Sequence, residues 1–174
     1  MMGRTHLAAG ICVGGAAAYT LEPDLFIPAI TIGMATSLIP DIDHSSSLLG
    51  RYIKPVGWLL KHRGITHTVF FAVLFSAVCF FYFIPLFGFI DAISLSIVAF
   101  AGVLSHLLLD VLATKPKYGL PLFYVPFVNK RPKRYGFPIT SSLIYTNSLL
   151  ERVVFRTGLL GFGAVLIFAA LMKL

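Results

Sequence analysis

The sequence is poor in charge. Asp, Glu, Lys and Arg make up 12% of its 174 residues, about half of the ~25% found in ordinary soluble domains. Because 57% of the residues are hydrophobic, the composition excludes a disordered chain and argues against a soluble globular domain. Cysteine is scarce as well: Cys12 and Cys79 lie in apolar stretches, so neither a disulfide framework nor a thiolate zinc site is indicated. We therefore predict an integral membrane protein with a single domain over residues 1–174.

Five apolar stretches cover residues 7–21, 25–40, 68–90, 92–113 and 157–172. A helix needs about 20 apolar residues to cross the hydrocarbon layer, and the third and fourth stretches meet that length. The fifth meets it if residues 153–155 join it and Arg156 extends towards the headgroups. The first two are shorter and form either a tilted pair or a re-entrant hairpin. The pattern predicts an all-α membrane bundle of about four to five transmembrane helices. Residues 1–6 lack the features of a cleaved signal peptide, so we interpret them as the start of the mature protein.

The distribution of charge predicts the orientation. With a cytoplasmic N-terminus and alternating spans, only Lys173 of the 14 Lys and Arg residues falls outside. Such an excess is the established signal for cytoplasmic segments, so we expect a multi-pass protein of a bacterial or archaeal cytoplasmic (inner) membrane. Residues 48–60 are interpreted as an amphipathic segment in the headgroup layer, with its helix broken at Pro55. Residues 114–151 form a proline-rich cytoplasmic loop, whose basic run at 130–134 either faces lipid phosphates or only sets the topology.

The potential metal ligands gather on the inner side. Imidazoles and carboxylates fall at the cytoplasmic ends of the apolar stretches, at His6, Asp41, Asp43, His44, His62, His67, His106 and Asp110. His106 and Asp110 share one helix face, and an unpaired carboxylate among leucines costs free energy that a bound cation removes. Borderline and hard cations bind imidazole and carboxylate groups. Even without His44 the seven remaining ligands exceed what one tetrahedral zinc uses, so one or two ions are predicted.

Two Thr-His pairs, Thr5-His6 and Thr66-His67, each open a helical pair that ends at further candidate ligands. Two hairpins facing each other would bring all of these ligands together. Gly64 supplies a bend before the second pair, and we expect Thr66 to cap the following helix, whose N–H groups suit a phosphate oxygen. Each residue alone has an ordinary interpretation as a cap, a turn or a satisfied pair. Their joint placement favours a metal site.

Three ordered motifs are LIPDIDH at 38–44, HRGITHT at 62–68 and LSHLLLD at 104–110. They resemble those of the YdjM-type family of inner-membrane, LexA-regulated, metal-dependent hydrolases, and GLPL at 119–122 and NSLLER at 147–152 look like its C-terminal signatures. The family is distantly similar to zinc-dependent phospholipases C and single-strand nucleases, in which His and Asp residues hold a zinc cluster. The resemblance implies metal ligands at His6, Asp41, Asp43, His62, His67, His106 and Asp110. The absence of a second His-x-x-x-Glu or His-x-x-x-Asp pair after residue 110 departs from a three-zinc cluster.

We therefore expect a membrane-bound metal-dependent hydrolase that acts on a phosphate ester of a phospholipid-like substrate at the cytoplasmic face. The expected cofactor is Zn²⁺, with Mn²⁺ or Mg²⁺ as alternatives, because such ions acidify water. Asp43, or else Asp41, would accept the proton. Arg63 would stabilise charge on the phosphate, unless it serves only the membrane topology. Membrane lipid, with anionic headgroups, is the expected partner. A second tier of candidate site residues comprises His44, Thr66 and Glu151.

Two other functions use the same residues without hydrolysis. Cation transport or metal homeostasis predicts polar residues that continue through the bilayer, but the outer halves of the predicted helices carry almost no ionisable group. A structural metal site predicts a closed shell of ligands. A protease is disfavoured because His-Glu-x-x-His does not occur. The basic run at 130–134 is too short to indicate nucleic-acid binding.

Overall fold

The computed structural model describes residues 2–60, 62–126, 128, 132–137 and 146–173. These residues form an all-α fold, as predicted. The helices are α1 Gly3–Thr20, α2 Phe26–Thr36, α3 Lys54–Leu59, α4 Val69–Phe87, α5 Phe89–Ala113 and α6 Thr157–Leu171. Short 3₁₀ turns lie at Pro23–Leu25, Ile39–Asp43, Ile65–His67 and Pro116–Tyr118. A π-helical segment, Leu150–Arg156, leads directly into α6.

Four helical segments are long and apolar enough to cross a membrane: Pro23–Asp43, Val69–Phe87, Phe89–Ala113 and Leu150–Leu171. The 18-residue α1 is also apolar, so the predicted bundle of about four to five helices is confirmed. The helices α4 and α6 expose at least half of their large apolar side chains. Such surfaces are typical of helices that face lipid.

Glycines allow α1, α2 and α5 to approach closely. A Cβ atom on Gly14 of α1 would lie 2.6 Å from the Cα atom of Ile30, and one on Gly33 of α2 would lie 2.7 Å from the backbone oxygen of Gly10. Gly102 brings α5 against the same part of α2. Membrane helices associate through such small residues because lipid provides no hydrophobic driving force between them. The contacts bring the start of α1, the end of α2 and the second half of α5 to one end of the bundle.

The two long connections at this end, around α3 and in the proline-rich loop, differ in part from the sequence-based predictions. The predicted helix break at Pro55 is wrong: Pro55 lies in the first turn of α3, where the missing N–H costs little. Tyr52 and Trp58 are 73% and 78% exposed, as suits aromatic residues at headgroup level. The proline-rich loop folds back on α5, where its Leu120 is buried against Leu107. Lys61 and, from the basic run, Lys130 and Arg131 lie outside the described residues.

Candidate metal centre

Three buried histidines from separate elements meet at the α1 N-terminal end of the bundle. His6 lies in the first turn of α1, His67 ends the 3₁₀ turn before α4, and His106 lies in α5; each is 0% exposed. The His106 ring centroid lies 3.7 Å from that of His6 and 5.3 Å from that of His67. The Nε2 atoms of all three lie near carboxylate oxygens of Asp41 or Asp110, but none makes a well-aligned hydrogen bond with a described residue. Because burying an unpaired polar atom is costly, this convergence favours a bound cation.

Two carboxylates complete the group. Asp41 follows α2 in a 3₁₀ turn, and its Oδ1 lies 3.5 Å from Nε2 of His106 and 3.7 Å from Nε2 of His67. Asp110, one helical turn after His106, lies 3.2 Å from Nε2 of His6 and 3.9 Å from Nε2 of His67. Ligand atoms around one zinc lie roughly 3–3.5 Å apart, because each bond is about 2.0–2.2 Å long. We name these five residues the central cluster.

Hydrogen bonds on the far side of two rings set their orientation. Nδ1 of His106 lies 2.8 Å from the backbone carbonyl of Ser37, which can only accept, so Nδ1 carries the hydrogen. Nδ1 of His67 lies 3.1 Å from the Thr66 hydroxyl, which itself donates to Asp43. Both rings are therefore oriented with Nε2 towards the central cluster. This arrangement is typical of metal-binding histidines.

Asp43 is buried, and both of its oxygens accept hydrogen bonds. Its Oδ1 lies 2.9 Å from Nδ1 of His62, and its Oδ2 accepts the backbone N–H of Arg63 at 3.2 Å. Asp43 and His62 also form a candidate ligand group with Asp41 and His67, in which one atom from each residue lies within 4.8 Å of the others. A second ion would fit beside the first because the two groups share Asp41 and His67.

Arg63 has an unusual backbone conformation between two candidate ligands. Its φ of 56° lies in the left-handed region, which costs a residue other than glycine about 1–2 kcal/mol. The Nη2 atom lies 3.4 Å from Oδ2 of Asp110, and the buried Nε has no hydrogen-bond partner among the described residues. The guanidinium is thus held beside the central cluster by its contact with Asp110.

A cavity of about 450 Å³, with both charged and apolar groups in its wall, opens over the central cluster. The charged and imidazole side chains that line it are Arg4, Asp41, His44, His62, Arg63 and Asp110. Asp41 and Asp110 belong to both the cavity wall and the central cluster. A small polar molecule in the cavity would therefore lie next to any ion that the cluster holds.

The electrostatic environment of the cluster favours positive charge. Burial by itself lowers the pKa of His67, but the neighbouring carboxylates of Asp41 and Asp43 outweigh burial and raise this pKa to about 9. Three aspartates lie close together here, and Arg63 supplies one positive charge beside them. A divalent cation would offset the remaining negative charge.

The structure brings together all seven residues that the sequence suggested as metal ligands, within the central cluster and the group around Asp43. His44 lies at the cavity wall, where its Nδ1 is 2.9 Å from the Ser46 hydroxyl and its ring packs edge-on against His62. Glu151 is buried away from the cluster and accepts hydrogen bonds from the first turn of α1.

The prediction that Thr66 caps α4 is wrong, because another threonine forms the cap. Thr68, not Thr66, accepts a hydrogen bond from the backbone N–H of Phe71, at 3.0 Å. Thr66 instead turns its hydroxyl towards Asp43. Thr68 has the extended backbone of an N-cap residue, whereas Thr66 lies within the preceding 3₁₀ turn.

Sequence reasoning missed two parts of the site. Arg4 lines the cavity, although its position one residue before Thr5-His6 could have suggested it. Ser37 acts through its backbone carbonyl, so its residue type carries no signal. The Gly10-x-x-x-Gly14 spacing, typical of close helix contacts in membranes, was the available signal for the packing that aligns these elements.

The family described as "YdjM inner membrane protein" matches residues 1–174. The chain belongs to the YdjM family. Inner membrane protein YdjM of Escherichia coli (strain K12) and that of Shigella flexneri are each 33% identical to it over 123 residues, or 68% of this chain and 57% of the relative. Uncharacterized protein YvsG of Bacillus subtilis (strain 168) is 32% identical over 116 residues, 63% of this chain and 66% of the relative.

The match to the YdjM family confirms the resemblance seen in the motifs and supports an inner membrane protein. The alignment spans 57% of the length of the two YdjM relatives, and their names state no reaction. No solved structure matches the chain.

Proposed function

We propose that this YdjM-family chain is a metal-dependent hydrolase of phosphate esters, with its centre at the cytoplasmic face. One observation carries the proposal: three buried Nε2 atoms, none in a well-aligned hydrogen bond with a described residue, converge with Asp41 and Asp110 beside a cavity with charged side chains in its wall. Catalytic metal sites keep a position open to water or substrate, whereas structural sites are closed. The cavity provides that opening.

The central cluster would hold the first ion, and the group around Asp43 and His62 would hold a second. Imidazole and carboxylate ligands without a thiolate suit Zn²⁺ or Mn²⁺, and suit Mg²⁺ less well. Such an ion supplies a water of lowered pKa and polarises a phosphoryl oxygen. The carboxylate of Asp41, which is 16% exposed and lines the cavity, is placed to accept the proton of that water.

Asp43 has a different role in this proposal from Asp41. Its oxygens already accept hydrogen bonds from His62, Thr66 and the backbone of Arg63. Accepting a further proton would break at least one of these contacts. Of the two carboxylates that the sequence offered as the base, we therefore favour Asp41. Asp43 would hold the imidazole rings in orientation and contribute to the site of the second ion.

The substrate class follows from the cavity and its position. The guanidinium of Arg63 matches the geometry of a phosphate group and would stabilise charge that develops on its oxygens. Arg4 adds a second positive charge to the cavity wall. The same wall includes Leu48, which precedes the exposed aromatic residues at headgroup level. We therefore favour a phosphate ester of a membrane lipid, with the cytoplasmic side assigned from the excess of Lys and Arg.

The test combines elemental analysis with phosphate release by the purified full chain in detergent. Substrates are p-nitrophenyl phosphate and mixed phospholipid micelles. Wild type is compared with Asp41→Asn and with Asp24→Asn, a matched control at an exposed position beyond α1. We expect metal and phosphate release in wild type and control, and at least a tenfold loss of both in Asp41→Asn.

Two results would overturn the proposal. Wild-type protein that binds no divalent metal would contradict the centre itself. Stoichiometric metal without release from any of these substrates would contradict hydrolysis, and a cation-flux assay in liposomes would then separate transport from a structural site.

A further inference from the structure

Glu151 is a fully buried carboxylate outside the central cluster. It lies in the π-helical segment Leu150–Arg156, a type of segment that is rare and frequently marks functional sites. Its Oε1 accepts hydrogen bonds from the backbone N–H of Met2 and from the Thr5 hydroxyl, the latter at 2.9 Å. Its Oε2 accepts the backbone N–H of Asn147. Glu151 thus joins the start of α1 to the chain that leads into α6.

This contact meets a specific need of α1. The first N–H groups of any helix have no partner within the helix, and Met2, the N-cap residue of α1, provides no side-chain hydrogen bond. Glu151 supplies the acceptor from another helix instead. A carboxylate at this end also interacts favourably with the positive end of the helix dipole. The first turn of α1 is therefore fixed by a residue distant in sequence.

The position of the His6 ring depends on the first turn of α1, whereas the rings of the other two buried histidines are also held by hydrogen-bonding neighbours. Nδ1 of His6 has no hydrogen-bond partner among the described residues, whereas Nδ1 of His106 donates to Ser37 and Nδ1 of His67 lies against Thr66. The His6 ring is held by stacking on His106 and by its contact with Asp110. Its Nε2 can reach the cluster only if the first turn of α1 is in place.

We infer that Glu151 is a positioning residue for His6. By fixing Met2 and Thr5, it sets the first turn of α1 against the chain before α6 and so places Nε2 of His6 in the metal centre. This inference rests on the proposed function, because it requires the central cluster to bind a metal. It assigns Glu151 no contact with the ion or the substrate.

The same two helices offer a matched control at their other ends. Lys173, just beyond α6, donates to the backbone oxygen of Tyr19 at 3.1 Å and lies over the Tyr19 ring. Lys173→Met therefore weakens the α1–α6 pair far from the cluster. The test variant is Glu151→Gln, which keeps the shape of the side chain. It replaces one acceptor oxygen by an NH₂ group, which then faces a donor of Met2, Thr5 or Asn147.

The experiment uses the full chain in detergent and Co²⁺ as a spectroscopic probe. We expect Glu151→Gln to weaken Co²⁺ and Zn²⁺ binding by about 10–100-fold, as for other residues that orient metal ligands, and to change the visible Co²⁺ spectrum. Lys173→Met should lower the melting temperature and leave both metal readouts unchanged. In a His6→Ala background, Glu151→Gln should cause no further loss of affinity, because both changes act on the same ligand.

The results separate the inference from the proposed function. No metal bound by wild type contradicts the proposed function. Normal Co²⁺ binding and spectrum in Glu151→Gln would overturn the inference alone, as would an additional loss in the His6→Ala background. If Glu151→Gln does not fold, Thr5→Val decides the question, because it removes only one of the hydrogen bonds. Thr5→Val with wild-type affinity and spectrum would then contradict the inference.

Discussion

The helices α1 and α4 each begin next to a histidine of the central cluster, yet they are held in different ways. α1 packs against α2, α5 and α6, with glycine and alanine at the contacts. α4 packs mainly on α5 and leaves Phe81 and Tyr82 71% and 67% exposed. His6 lies inside α1, whereas His67 lies in a 3₁₀ turn before α4.

The difference shows two ways of placing a ligand at a membrane surface. His6 is positioned by the packing of a whole helix and by a distant carboxylate. His67 is positioned by nearby hydrogen-bonding groups, Thr66 and Asp43. Changes in helix packing should therefore affect the centre through α1, and changes in polar contacts should affect it through the turn before α4.

The largest effect is expected from filling the contact between α1 and α2. Gly14→Ala should destabilise the fold by about 1–3 kcal/mol, because backbone atoms block the new methyl group. The matched control is Gly161→Ala in α6, where nothing lies within 4 Å of the added carbon; it should be neutral or stabilise slightly through helix propensity. Thermal unfolding in detergent measures both. Equal melting temperatures for the two variants would contradict the importance assigned to this contact.

A smaller effect on the fold, but a clear one on metal binding, is expected from Asp43→Asn. The variant keeps its shape but loses charge and one acceptor for His62, Thr66 and Arg63. Metal affinity should fall by about 10–100-fold, measured by competition with a chelator. Asp91→Asn, at the start of α5, is the control and should bind as wild type does. Unchanged affinity in Asp43→Asn would show that local hydrogen bonds do not position His67.

The cap of α4 should contribute about 1 kcal/mol. Thr68→Ala removes the acceptor for the backbone N–H of Phe71 and should lower unfolding free energy by that amount, with metal still bound. Thr20→Ala is the comparison, because the Thr20 hydroxyl donates only to carbonyls of its own helix. A complete loss of metal in Thr68→Ala would place Thr68 within the centre rather than at a helix end.

The smallest effect is expected on the exposed face of α4. Phe81→Leu and Tyr82→Phe should change unfolding free energy by no more than about 0.5 kcal/mol, since these side chains make few contacts within the described chain. Stability and elution volume in detergent provide the measurement. A marked loss of stability, or a change in apparent size, would show that another protein surface covers this face.

Much of this fold follows from sequence because its signals are local. Long apolar stretches predict the helices, and the positions of His106 and Asp110 predict a shared helix face. Ligand clusters at stretch ends predict one site because a membrane forces chain segments to return to the same side. Composition and spacing carry this information without any knowledge of packing.

The remaining features depend on contacts between distant segments. The Ser37 carbonyl reaches His106 only after α2 and α5 have packed together. Glu151 meets Thr5 across 146 positions of sequence, so no spacing rule predicts the pair. Thr66 and Thr68 are both suitable caps by residue type, and the backbone conformation of the 3₁₀ turn decides between them.

X-ray absorption at the edge of the metal that copurifies with the full chain tests the central claim most directly. The convergence of His6, His67, His106, Asp41 and Asp110 predicts stoichiometric metal with a nitrogen and oxygen shell at about 2.0–2.2 Å and the multiple scattering of imidazole rings. Protein without tightly bound metal, or a metal with a sulfur shell at about 2.3 Å, would contradict it.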